Sequence, residues 1–195
     1  MTATDQKAHL KRYLQIARDV LLWKLDGLSE YDIRRPLTPT ATNLLGLVKH
    51  LTGVEAGYFG EPFGRPFAEP LPWLEDPEPN VDMWAKPDES RAQLVELYRR
   101  ACRHADSTID ELDLDAPGHI PHWPAERGDV TLHQILVHVI AETHRHAGHA
   151  DIVRELIDGS AGLRADVDNL APGDQSWWDD YRNRVADAAR QAVDG

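Results

Sequence analysis

The chain has a single cysteine, Cys102, so it offers no intrachain disulfide and no metal site built from several thiolates. It also lacks any run of about 18 apolar residues, so no membrane-spanning helix is expected. The opening residues Met1 to Lys11 are polar and mixed in charge, without the apolar stretch of a secretory signal, and the expected location is the cytoplasm. Basic residues are scarce beside acids: 21 Lys and Arg against 33 Asp and Glu give a formal charge of −12. Nucleic acids and anionic membranes both require basic surfaces, and neither is an expected partner. No internal repeat or low-complexity tract divides the chain, and 195 residues suit one domain, 1–195, with a sizeable core.

What the chain does have is histidine. Five of its ten histidines (His133, His138, His144, His146 and His149) fall in one 17-residue window. That window lies in a segment with helical periodicity, capped by Thr131 and running to about Asp158, where Gly159 ends it. A helix turns about 100° per residue, so Glu142, His146 and His149 share a face roughly 60° wide, with His138 one turn earlier on the same stripe. The neighbouring apolar positions Ile135, Val139, Ile152 and Val153 direct part of this stripe toward a core. His133 and His144 point to the opposite side and read as surface residues.

Three further segments carry the same period. Leu10, Tyr13, Leu14, Ala17, Val20, Leu21 and Leu25 predict a helix from about Asp5 to Leu25. Leu44, Leu47, Val48, Leu51, Val54 and Tyr58 predict another from Asn43 to Phe59, capped by Thr42, with His50 near the edge of its apolar face. Leu94, Leu97, Tyr98, Ala101, Ala105 and Ile109 predict a third from Asp88 to Leu112, capped by Asp88 and holding Cys102 as a buried structural thiol. Between these lie Ser29–Thr40, read as a loop, the irregular stretch Gly60–Pro87 with seven prolines, and a second loop from Asp113 to Asp129. So long an irregular stretch is either a functional lid or a crossover anchored by its aromatics. A short helix from Ser176 to Ala192, with Trp177, Tyr181, Val185 and Ala189 spaced at four, is expected to dock on the rest. No strand pattern competes. The fold class is all-α: an up-and-down four-helix bundle with long loops and an additional C-terminal helix.

Sites in bundles are assembled from side chains on facing helices. Glu142 and His146, at i and i+4, supply two groups over adjacent turns. His50, the only histidine on the second helix, is the best candidate for a third. An i, i+4 carboxylate–histidine pair is otherwise a common surface pair worth a few tenths of a kcal/mol. A lone helical histidine is more often a hydrogen-bonded edge residue than a ligand.

Leu44-Leu45-Gly46-Leu47-Val48-Lys49-His50-Leu51, followed by Val54-Glu55-Ala56-Gly57-Tyr58-Phe59, resembles the second helix of the DinB superfamily, and in particular an actinobacterial branch related to mycothiol-dependent transferases. Thr131-Leu132 through Glu142-Thr143, and His146-Ala147-Gly148-His149-Ala150-Asp151-Ile152-Val153-Arg154-Glu155, resemble its fourth helix, and Trp177-Trp178-Asp179-Asp180-Tyr181-Arg182 its C-terminal stretch. The resemblance implies a DinB-like bundle whose metal ligands are His50, Glu142 and His146. Glu142 stands where many relatives, including the mycothiol-dependent maleylpyruvate isomerases, carry histidine. His149 stands where many have glutamine, which suggests a position behind the ligands or facing substrate.

Three protein ligands leave a coordination position open, the arrangement of catalytic sites. The resemblance implies a metal-dependent thiol S-transferase or thiol-dependent isomerase, with zinc as the expected divalent ion and a low-molecular-weight thiol such as mycothiol as co-substrate. Its expected partners are that thiol and an electrophile, and a homodimer is compatible with the acidic surface. Arg145 and Arg154 are candidates for steadying cofactor carboxylates, and Trp73, Trp84 and Trp123 for walling a pocket, although solvation and structural anchoring explain them as well. A metal-dependent hydrolase, with Glu55 as a conceivable but distant base, is one alternative. A non-catalytic metal-binding module, with His149 closing the coordination sphere, is another.

Overall fold

The four long periodic segments form four long helices in the computed structural model, which describes residues 3–193, with side chains from residue 5. They are α1 (Ala3–Trp23), α3 (Leu44–Phe59), α4 (Arg91–Glu111) and α6 (Leu132–Asp158). Between them lie two short helices, α2 (Glu30–Arg34) and α5 (Ala125–Gly128), and the chain closes with α7 (Gln175–Gln191). Among the described residues no helix is long and apolar enough to cross a membrane.

Local chemistry sets the boundaries. Thr131 caps α6 as its position predicts, accepting from the Gln134 N–H, and Gly159 ends it at φ 81°, a left-handed conformation that favours glycine. Two caps differ from expectation. Asn43, not Thr42, caps α3, its Oδ1 accepting from the Gly46 N–H at 2.8 Å. α4 starts three residues after Asp88, because Ser90 and Gln93 form a reciprocal capping box while Lys86–Glu89 closes as a turn. The Ser29–Thr40 loop contains α2, capped by Ser29. The second loop contains a small antiparallel ribbon, β1 (Pro117–His119) against β2 (Asp129–Thr131). Three-residue strands are too short to leave an alternating pattern, which is why neither is legible in the sequence.

Side-chain pairings give the helix directions. His50 faces His146 while Tyr58 faces His138, so α3 and α6 are antiparallel. The Thr108 hydroxyl donates to the Phe59 carbonyl at one end of α3, and Lys49 pairs with Glu89 toward the other, so α3 and α4 run parallel and the bundle does not have the alternating up-and-down order expected from the sequence. A parallel neighbour requires the chain to return along the whole helix, and residues 60–90 do this. The stretch is a structured crossover, with single 3₁₀ turns at Glu61–Phe63, Pro72–Leu74 and Val81–Met83, anchored by buried Trp73 and Val81.

The core between the four helices includes Leu14 and Leu21, Leu47 and Leu51, Tyr98 and Ile109, and Ile135 and Val139. Ile152, expected among the core-facing positions of α6, is exposed, one residue before the buried Val153. α7 also departs from expectation. Trp177, Tyr181 and Val185 remain 37%, 44% and 53% exposed, and no residue of α7 is buried among those described. Its aromatics pair with one another instead, Trp177 stacking on Tyr181 with ring centroids 5.4 Å apart.

Candidate metal centre

α3 is apolar around most of its circumference, and His50 is half-buried on its side facing α6. There the i, i+4 stripe of α6 presents Glu142 and His146. One ligand atom from each of His50, Glu142 and His146 can be chosen so that all lie within 4.8 Å of one another. His146 Nε2 is 2.9 Å from Glu142 Oε1, and His50 Nε2 is 3.7 Å from the same oxygen. The two imidazoles meet edge to face at 4.8 Å between centroids. His50 Nε2 is buried and has no hydrogen-bond partner. A buried polar atom in that condition costs free energy unless something occupies its lone pair.

The ring nitrogens on the far sides are engaged. His50 Nδ1 lies 2.7 Å from Asp82 Oδ2, in the crossover. His146 Nδ1 lies 3.3 Å from His149 Nδ1. His149 therefore stands behind a member of the cluster rather than within it. Asp82 is the residue sequence reasoning missed: it is 32 positions from His50, in a stretch without periodicity, and no local signal joins the two.

Electrostatics fix the charge state of two of the three groups. Burial, together with the nearby His50, lowers the His146 pKa despite the opposing pull of Glu142, so its imidazole is held neutral. Burial pushes the Glu142 carboxyl up, but the hydrogen bond and charge of His146, with Arg145 and His50, outweigh it and hold the group below its ordinary value. A neutral imidazole and an ionised carboxylate are what a divalent cation requires of these two groups.

One turn before Glu142, His138 packs against Tyr58 at 4.7 Å and Trp123 at 5.1 Å between centroids, and His122 lies 6.0 Å from Tyr58. This aromatic wall flanks the cluster, and burial lowers the His138 pKa within it. Of the three tryptophans considered, Trp123 belongs here, whereas Trp73 is a buried anchor of the crossover and Trp84 is 40% exposed. Arg145 stays exposed, 3.8 Å from Glu142. Arg154 is committed elsewhere, donating to Asp158 and to the carbonyls of Lys24 and Asp26. His133 is exposed and His144 reaches the Tyr13 carbonyl, so neither joins the cluster.

Glu55, the conceivable base, lies away from the cluster. It is buried in a two-pronged ion pair with Arg18, Nε to Oε1 and an Nη to Oε2 both at 2.7 Å, and Asp106 takes the other Nη at 2.8 Å. Burial opposes the charge on Arg18, but the pairing with Glu55 outweighs it and raises the guanidinium pKa. Half-buried Cys102 sits nearby, its thiol pKa raised by desolvation and then by the Glu55 charge.

The sequence model of the family described as mycothiol-S-transferase matches residues 9–159, from early in α1 to the end of α6. No curated protein matches the chain.

Proposed function

We propose that this chain, which belongs to the mycothiol-S-transferase family, is a metal-dependent S-transferase that joins a low-molecular-weight thiol, mycothiol, to an electrophilic small molecule. The observation that carries this reading is the approach of His50, Glu142 and His146 on two facing helices, with His50 Nε2 buried and unpaired among them. The donor set fits the group: two imidazoles and one carboxylate are a zinc set, and three protein ligands leave a position open for substrate. When bound, a divalent ion supplies one thing, a lowered pKa for a coordinated thiol, so that thiolate is available near neutral pH.

The chain's own residues do the rest. His50, Glu142 and His146 hold the ion. Asp82 and His149 brace the far nitrogens of the two rings. Tyr58, Trp123 and His138 form an aromatic flank that offers ring surface to a substrate. The hydrolytic alternative loses its base, since Glu55 is committed to Arg18.

Elemental analysis of the purified protein is expected to find about one divalent ion per chain, absent from a His50→Ala, His146→Ala double variant. The wild type is then expected to consume mycothiol in the presence of an electrophile, and the double variant not to. Absence of metal after reconstitution with zinc would overturn the reading, as would turnover of an ester or amide without thiol.

A further inference from the structure

Asp82 reaches His50 because the crossover is pinned to α3 at three places. The side-chain amide of Asn43 donates to the Met83 carbonyl at 3.1 Å, while its oxygen caps α3. The buried ammonium of Lys49 donates to the Trp84 carbonyl at 3.1 Å and pairs with Glu89 at 2.8 Å. Val81 is buried beside them. The third attachment is a close approach that only glycine permits. A Cβ on Gly46 would lie 1.9 Å from the Met83 carbonyl oxygen and 2.5 Å from its carbon. Both are backbone atoms, so any side chain at 46 displaces the segment that carries Asp82.

The chemistry of the contact then selects one form of His50. An ionised carboxylate only accepts hydrogen bonds, so Nδ1 carries the proton opposite Asp82 Oδ2. Nε2 is left with its lone pair, and it is the buried atom without a partner, directed at Glu142. Fixing the second nitrogen sets both the tautomer and the ring orientation of a ligating histidine.

We propose that Asp82 is a positioning residue of the metal centre, and that its anchors on α3, Gly46 above all, govern metal affinity without touching the metal. This rests on the proposed role of His50, Glu142 and His146 as ligands. Asp82 itself is half-buried and is not a member of the hydrophobic core.

The test has a metal-free arm and a metal arm. In metal-free protein, two-bond proton–nitrogen NMR of the histidine rings is expected to find His50 as the Nδ1–H tautomer, with Asp82→Ala shifting it toward Nε2–H. In chelator competition, zinc affinity is expected to fall roughly 10–100-fold in Asp82→Ala. Gly46→Ala is expected to weaken binding in the same direction, and Asp82→Glu to restore part of the loss, with helix content by circular dichroism unchanged. An unchanged tautomer in Asp82→Ala would overturn the proposal, as would zinc affinity within twofold of wild type. If the tautomer shifts as expected but wild type binds no zinc, the ligand reading fails and the metal-positioning role fails with it. Should Gly46→Ala not fold, Asp82→Ala and Asp82→Glu decide the matter.

Discussion

Replacing Glu55 by glutamine separates a structural role from a catalytic one. The carboxylate is fully buried and holds Arg18 through two 2.7 Å hydrogen bonds, so the substitution leaves a guanidinium in the core with half its compensation removed. Breaking one side of a buried ion pair costs about 3–5 kcal/mol. Asp106 still takes one Nη of Arg18 at 2.8 Å, which places the expected loss toward the lower end. For a domain of this length 1 kcal/mol moves Tm by about 2–4 °C, so a loss near 3 kcal/mol lowers it by about 6–12 °C. Replacing both partners with apolar residues, Arg18→Met with Glu55→Leu, removes the uncompensated charge and is expected to recover most of that loss. Thermal melts followed by circular dichroism read both variants, and zinc content is expected to match wild type in each. A Glu55→Gln protein with wild-type Tm would refute the energetic argument. A folded Glu55→Gln protein that had lost its zinc or its thiol consumption would refute the placement of Glu55 outside the site.

Two further outcomes follow from the packing. Arg154 grips Asp158 through both its Nε and an Nη, and that hydrogen bonding lowers the Asp158 pKa below its ordinary 3.8. A carboxylate with a lowered folded pKa contributes stability above its unfolded value and loses it as pH falls toward the folded one. Asp158→Asn is therefore expected to lower urea midpoints at neutral pH and to flatten their decline between about pH 5 and pH 3; an unchanged slope would refute the linkage. Truncation after Gly173 removes α7, none of whose described residues is buried, and is expected to move Tm by no more than about 2 °C. A larger drop in the melt would mean that α7 covers apolar surface after all.

How much of this was legible in the sequence depended on how local the signal was. α6 was legible end to end, because Thr131, the apolar stripe and Gly159 all act within a few residues of one another. The Glu142–His146 pair was legible for the same reason, being one turn apart, whereas His50, the one imidazole on the facing helix, was joined to it by the family resemblance. Asp88 misled the start of α4, because Ser90 with Gln93 satisfies two orphan groups where a lone aspartate satisfies one. α7 misled differently: periodicity says that a helix has an apolar face, but not that anything lies against it. Asp82 was invisible because its partner is reached through the fold, by way of a glycine whose importance is the absence of a side chain.

The candidate centre draws on α3 and α6, which meet only once the bundle has closed. An ion held there as proposed would bind the folded chain and not the unfolded one, and mass action would convert its occupancy into folding free energy. The contribution is about 2.7 kcal/mol when free metal exceeds its Kd a hundredfold. Metal starvation would then raise the population open to proteases while it silences the chemistry, so that the lifetime of the polypeptide tracks the free-metal level of its surroundings.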